Sequence, residues 1–154
     1  MSHITDVKLQ VKDLDAVKMV AEILGFEFRE GQKTYAWYGR FMNDSDEGRR
    51  VVQERGEHAL GKCDHALRPK VGGGYEIGLV ANAEGSYDLL YDSWGSGQRI
   101  EELAGKGLSR IRQEYAVAVT QRRVEKTMAR QGFKMTRETL GDGKVRVRLQ
   151  RRTT

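Results

Sequence analysis

The only cysteine of the chain, Cys63, stands two residues before one histidine and five after another. On a β-strand, Cys63 and His65 would share a face with Cα atoms about 6.6 Å apart, too far for a direct thiol to imidazole hydrogen bond. The spacing argues against a cysteine nucleophile but allows one shared metal ion, with His58 as third ligand. A structural zinc site needs four nitrogen or sulfur ligands, so His3 or a nearby carboxylate would complete it. A half-buried strand without any site is the alternative.

A glycine-rich loop offers a second kind of chemistry. Gly95, Ser96 and Gly97 follow a predicted strand and precede a predicted helix, where free backbone N–H groups favour an anion. Ile100 stands where a nucleotide-binding fingerprint needs a small residue, and the loop has no P-loop lysine. The hypothesis is an anion-binding loop, and its alternative is a flexible connection. No pair of carboxylates lies in an apolar setting, so general acid and base catalysis has no candidate.

Basic side chains are concentrated in the last third of the chain. Residues 1 to 94 hold 12 basic and 16 acidic side chains, a net charge of −4. Residues 95 to 154 hold 15 basic and 6 acidic side chains, a net charge of +9. Such an asymmetry attracts polyanions, either nucleic acid or an acidic protein surface. The alternative is a solvated basic face with no binding role.

The closing segment, "FKMTRETLGDGKVRVRLQRR", has two alternating runs around GDG and predicts a hairpin. If Val145, Val147 and Leu149 face the core with Phe133 and Met135, the opposite face is basic. The predicted polyanion-binding set takes four residues from the preceding helix and four from the hairpin: Arg122, Arg123, Lys126, Arg130, Lys134, Lys144, Arg146 and Arg148. The hairpin has no aromatic residue placed to stack bases, which argues against readout of single strands. A charged edge that prevents aggregation is the alternative.

Hydrophobic periodicity predicts the elements that position these residues. Alternation over residues 5 to 11 indicates a strand, and the spacing of apolar residues over 14 to 24 indicates a helix capped by Asp13 and ended by Gly25. A second long helix is predicted to run on to Gly132, after a break around Gly105 and Gly107.

The middle of the chain supplies the remaining strands. The aromatic segment 33–42 and the segments 63–70, 75–80 and 87–92 are rich in strand formers, and the turn NAEGS joins the last two. Tyr35 is expected to pack inward and Tyr38 to be exposed. The order of elements predicts an α+β fold, a two-layer sandwich of a mostly antiparallel sheet with two main helices on one face.

Length and composition bound the organisation of the chain. Its 154 residues predict a single domain, 1–154, with a polar surface insertion at about 43–62. No apolar run approaches the roughly 20 residues that span a bilayer. One cysteine and the lack of a secretory signal favour the cytoplasm. No cofactor is predicted, and the oligomeric state is left open.

Four stretches carry a resemblance to a known family. They are the opening "MSHITDVKLQVKDLDAVKMVAEILGF", the strands "CDHAL" and "YEIGLV", the helix "RIRQEYAVAVTQRRVEKTMARQGF" and the ending "DGKVRVRLQRR". Together they resemble domain-of-unknown-function family 1257, which includes a conserved reading frame of plastid and cyanobacterial genomes and bacterial relatives. The resemblance implies a cytoplasmic or stromal protein with no established activity or cofactor. It also implies genes that can lie near a ring-type ATPase.

Three functional hypotheses follow. The first is a non-enzymatic accessory protein that binds nucleic acid or an acidic protein through the basic C-terminal helix and hairpin. The second is a small metal- or anion-binding enzyme centred on Cys63 and His65. The third is a protein adaptor for an ATPase or a companion subunit.

Overall fold

A computed structural model describes residues 4–39 and 46–153, so the first three residues of the predicted insertion lie outside the described chain. The helices and strands, numbered in chain order, are β1 (Ile4–Val11), α1 (Leu14–Leu24), β2 (Phe26–Arg29), α2 (Asp46–Arg55), β3 (His65–Pro69), β4 (Ile77–Ala81), β5 (Tyr87–Asp92), α3 (Gln98–Ala104), α4 (Ser109–Arg123), β6 (Phe133–Thr139) and β7 (Val145–Arg151). Short 3-10 and π-helical stretches join some of them. Within the described residues, no helix is long and apolar enough to cross a membrane.

Five strands form one antiparallel sheet in the order β1-β5-β4-β3-β2. Strand β5 lies between β1 and β4 and is almost entirely buried, including the side chains of Asp88 and Asp92. Strands β6 and β7 form a second sheet of their own, with seven residue pairs from Phe133↔Arg151 to Thr139↔Val145. The α+β class and the antiparallel sheet are confirmed, and the final hairpin stands apart from the main sheet.

Helix α1 begins and ends where the sequence predicts. The backbone N–H of Ala16 donates to the Asp13 carboxylate at 3.1 Å, and Gly25 ends the helix in the left-handed region at φ 82°. The cap therefore fixes the direction in which the helix leaves β1.

The larger hydrophobic cluster, here called the main core, lies between one face of the five-stranded sheet and the helices α1 and α4. It joins Val17 and Val20 of α1 to Leu89 and Tyr91 of β5 and to Ile111 of α4. Two main helices thus cover one face of the sheet, as predicted.

The opposite face of the sheet carries a second core, which the sequence did not predict. Leu90 of β5 and Ala66 of β3 pack there with Val51 of α2. Arg55, in the last turn of α2, forms a largely buried ion pair with Asp88 of β5. Helix α2, which lies in the predicted polar insertion, therefore covers the second face of the sheet. The predicted two-layer sandwich gains a further layer on that face.

Residues 33–39 of the aromatic segment do not form a strand, contrary to the prediction, and residues 40–42 lie outside the described chain. The regular pairing of this segment is limited to a single bridge between Thr34 and Lys62 within the described residues. Tyr35 is 3% exposed and belongs to the second core, whereas Tyr38 is 43% exposed. Tyr35 is thus buried and Tyr38 exposed, as expected. Packing, and not strand pairing, determines these orientations.

We expect Gly78→Ala to destabilise the fold, because a β-carbon at Gly78 would overlap the buried ring of Tyr35. Overpacking of this kind costs about 1 to 3 kcal/mol of unfolding free energy. The matched control is Gly141→Ala, whose β-carbon would meet no atom within 4 Å. Urea denaturation of both variants checks this, and equal midpoints would contradict the packing of Tyr35 on the sheet.

Candidate functional site

The register of the hairpin sorts its side chains into two faces. On the outward face Thr136 is paired with Arg148, Lys134 with Gln150, and Glu138 with Arg146, and all six side chains are exposed. We call these six residues the outward face. Three of the predicted cations, Lys134, Arg146 and Arg148, share this face as predicted. The predicted apolar residues share the opposite face, but the basic Arg137 lies there as well.

The inward face of the hairpin packs on α4 and on the π-helical stretch Val124–Met128, away from the main core. The guanidinium of Arg137 donates to both oxygens of the buried Glu114 carboxylate, at 2.9 and 2.8 Å. The hydrogen bonds that Arg137 donates to Glu114 raise the pKa of Arg137 above its ordinary value. Gln113 donates to the carbonyl of Gly143 in the hairpin turn at 3.1 Å.

The prediction that the apolar hairpin residues join the protein core is therefore wrong. Phe133, Met135, Val145 and Val147 are only half-buried, and Leu149 is 43% exposed. The alternation of polar and apolar residues predicts which side chains share a face of the hairpin. It does not predict which element of the fold covers that face.

Arg122 belongs to the architecture of the fold. Its guanidinium donates to Asp13 at 2.7 Å and to Asp15 at 3.1 Å, which ties α4 to the start of α1. Burial raises the pKa of Asp13, but the hydrogen bonds from Arg122 and Ala16 outweigh it and lower that pKa overall. Of the predicted set, Arg122 is thus the residue least available to a ligand.

Two further cations of the predicted set have acidic neighbours. Lys144 lies in the hairpin turn, 3.3 Å from Asp142, and Arg146 lies 3.7 Å from Glu138. Both pairs are exposed, so a ligand phosphate can replace the carboxylate at little cost.

The other five cations of the set make no ion pair among the described residues. They divide into two groups: Arg123, Lys126 and Arg130 on the helical segment, and Lys134 and Arg148 on the hairpin. Val124 is buried in the segment that contacts the hairpin, whereas Arg123, Lys126 and Arg130 of the same helical region are exposed. The structure thus separates the predicted set into two surfaces.

Two basic residues were missing from the predicted set. Arg151 and Arg152 line an open depression with Lys134 and Gln150, where the strands of the hairpin end. Arg151 also lies over the ring of Phe133, 5.8 Å from its centroid. The sequence signal that could have identified Arg151 and Arg152 is the run of basic residues at the end of the alternating segment.

The glycine loop uses one of its backbone N–H groups and two of its carbonyls internally. Gly97 donates to the carbonyl of Trp94 at 3.0 Å, and Trp94 donates to the Asp92 carboxylate at 3.0 Å. A β-carbon at Gly97 would overlap the carbonyl oxygen of Asp92, so close packing explains this glycine. The fully buried Asp92 carboxylate disfavours an anion at the predicted loop of Gly95, Ser96 and Gly97.

Cys63 and His65 lie on opposite faces of the sheet, contrary to the predicted shared face. Cys63 packs in the second core and donates to the carbonyl of Gln32 at 3.1 Å. His65 stacks on Phe28, with 5.5 Å between ring centroids, and its Nδ1 accepts from Gly31 at 3.0 Å. The reason is that β3 begins only at His65, so strand alternation does not extend to the cysteine.

The predicted metal ligands are not brought together. His58 and Cys63 line one shallow depression, from which His65 is absent. Within residues 4–39 and 46–153, no group of three or more His, Cys, Asp or Glu side chains is placed to hold a metal ion. His3 lies outside the described residues.

An exposed aromatic pair lies beside the glycine loop. The rings of Tyr38 and Trp94 meet edge to face with centroids 5.8 Å apart. Tyr38 is 43% exposed and Trp94 is 37% exposed. Sequence spacing could not predict this pair, because the two residues approach only when the sheet forms.

We expect Cys63 to resist alkylation in the folded protein. Burial is the largest cause that raises the pKa of its thiol to about 12, so the reactive thiolate is scarce at pH 8. Iodoacetamide labelling followed by mass spectrometry should be at least about 100-fold slower in buffer than in urea. Equal rates in the two conditions would mean an accessible, activated thiol and would revive the enzyme hypothesis.

The chain matches the family model described as "Protein of unknown function (DUF1257)" over residues 24–148. Comparisons with curated proteins and with solved structures gave no significant match. The matched region takes in the five-stranded sheet from β2 onward, α4 and most of the hairpin, which is the greater part of the chain. The chain therefore belongs to the DUF1257 family.

Proposed function

We propose that this protein is a non-enzymatic accessory protein that binds a polyanion through the outward face and open end of its hairpin. The observation that supports this most is a group of exposed cations that form no ion pair within residues 4–39 and 46–153: Lys134, Arg148, Arg151 and Arg152. Lysine and arginine side chains that neutralise phosphates supply most of the affinity for a nucleic acid backbone.

The anchoring of the hairpin favours this role. The Arg137 to Glu114 hydrogen bonds and the apolar inward face hold the ribbon on α4, so the outward cations keep their relative positions. A surface held in place in advance loses less conformational entropy on binding than a mobile tail would.

The shape of the surface favours an extended ligand over a small one. The depression lined by Lys134, Gln150, Arg151 and Arg152 is open to solvent. Sites for small molecules are concave and bury most of their ligand. A nucleic acid backbone, in contrast, needs only an accessible row of cations.

The helical cations form a second, separate patch in this proposal. Arg123, Lys126 and Arg130 are exposed and follow one another at helical spacing. They add long-range electrostatic attraction for a polyanion, although they do not lie on the outward face of the hairpin. We place the protein in the cytoplasm, where its single buried thiol stays reduced.

We expect Lys134→Glu combined with Arg148→Glu to weaken binding to a mixed-sequence nucleic acid at least about tenfold at low salt. The matched control is Arg50→Glu with Lys62→Glu, which changes net charge equally at exposed positions outside the hairpin. Fluorescence anisotropy across a salt series measures both. For the wild-type protein, a plot of the logarithm of the binding constant against the logarithm of the salt concentration should have a slope of about −3 to −4. This value applies if the four hairpin cations Lys134, Arg148, Arg151 and Arg152 contact phosphates.

If both double variants lose affinity equally, only net charge matters and the hairpin site is wrong. If wild type binds neither nucleic acid nor heparin, the polyanion proposal fails. Nuclease treatment of endogenous complexes separates nucleic acid from an acidic partner protein such as an ATPase, because it releases only the former.

A further inference from the structure

The hairpin is a two-stranded sheet of its own, packed on α4 through one face, and this sets it apart from a charged face of the main sheet. Its strands pair with each other and make no ladder with the five-stranded sheet. Two strands lie about 4.8 Å apart, so such a ribbon is narrow compared with a face of the main sheet. The major groove of B-form DNA is about 12 Å wide and admits a two-stranded ribbon.

The chemistry of the outward face suits base edges as well as phosphates. Arginine and lysine bind the acceptors of guanine, glutamine binds adenine, and threonine contacts the thymine methyl group. The outward face offers each of these types: Lys134, Thr136, Arg148 and Gln150, beside the Arg146 and Glu138 pair. The side chains of Lys134, Thr136, Arg148 and Gln150 are exposed and make no hydrogen bond or ion pair within the described part of the chain, so they are available to a ligand.

The spacing along the ribbon also fits a duplex. Side chains two apart on one face of a strand are about 6.8 Å apart, which is two base-pair steps of about 3.4 Å. Each strand presents three outward side chains, so the ribbon spans several base pairs.

Other nucleic acids fit this face less well. Base readout in single strands depends on aromatic stacking, and the six outward residues include no aromatic side chain. A-form RNA has a deep and narrow major groove that side chains cannot read.

We infer that the hairpin inserts its outward face into the major groove of double-stranded DNA and contacts base edges there. This rests on the proposed polyanion binding and names its ligand class. The cations at the open end, Arg151 and Arg152, then contact the flanking phosphates.

The test compares DNA duplexes of identical sequence and charge. In one duplex every cytosine is replaced by glucosylated 5-hydroxymethylcytosine, which fills the major groove without changing the number of phosphates. We expect the full-length protein to bind this duplex at least about tenfold more weakly than the unmodified duplex. An RNA duplex of the same sequence should be weaker by a similar factor, whereas netropsin, which fills the minor groove, should change the affinity less than about twofold.

A neutral variant separates base contact from charge. Thr136→Ala with Gln150→Ala keeps the net charge and alters two exposed side chains, so it should preserve the fold and the salt slope. We expect it to reduce discrimination between preferred and unrelated duplexes by at least about tenfold. Preferred duplexes come from selection on a randomised pool.

Each result decides between the two proposals. Equal affinity for modified and unmodified DNA, with steep salt dependence kept, overturns groove insertion and leaves polyanion binding in place. Stronger binding to single strands, RNA or heparin than to duplex DNA has the same meaning. Absence of salt-dependent binding to every polyanion overturns both.

Discussion

Helix α4 is buried on two sides, and the rest of the molecule depends on this constraint. Ile111, Tyr115 and Ala118 face the main core, and the hydroxyl of Tyr115 accepts from the backbone N–H groups of Lys12 and Asp13 at 2.9 and 3.1 Å. Glu114 and Val117 are buried as well, outside that core. One helix therefore joins a five-stranded sheet to a separate hairpin. An isolated two-stranded hairpin is marginal in water, so the helix supplies the surface that keeps it folded.

The packing of the hairpin on α4 determines which face of the hairpin is available to a ligand. The inward face is committed by the Arg137 to Glu114 hydrogen bonds, and strand alternation then leaves the polar side chains outward. The same logic sorts the basic residues. Arg122 holds α1 and α4 together through Asp13 and Asp15, whereas Lys134 and Arg148 have no such neighbour among the described residues. A high density of basic residues thus contains both structural and available cations, and only three-dimensional contacts tell them apart.

Local signals predicted the parts of the fold that local physics decides. The cap at Asp13, the end at Gly25, and the break before α4, where Gly107 has φ 60°, followed from sequence, as did the partition of the hairpin into two faces. The covering role of α2 did not, because its sequence is polar and only Val51 is a fully buried apolar anchor. The partners of Arg122 and the separation of Cys63 from His65 also depended on tertiary structure. They required the packing of α4 on α1 and the exact start of β3, which no pattern within the chain reveals.

In the proposed function, the outward face of the hairpin contacts nucleic acid while the main sheet serves as its support. Titration of ¹⁵N-labelled protein with a DNA duplex, followed by amide chemical shifts, tests this proposal most directly. We expect the largest shifts in β6 and β7 and in the residues that follow β7, smaller shifts near Arg123 to Arg130, and none in the second core. Largest shifts at the Gly95 to Gly97 loop or around Arg55 and His58, with an unchanged hairpin, would contradict the proposal.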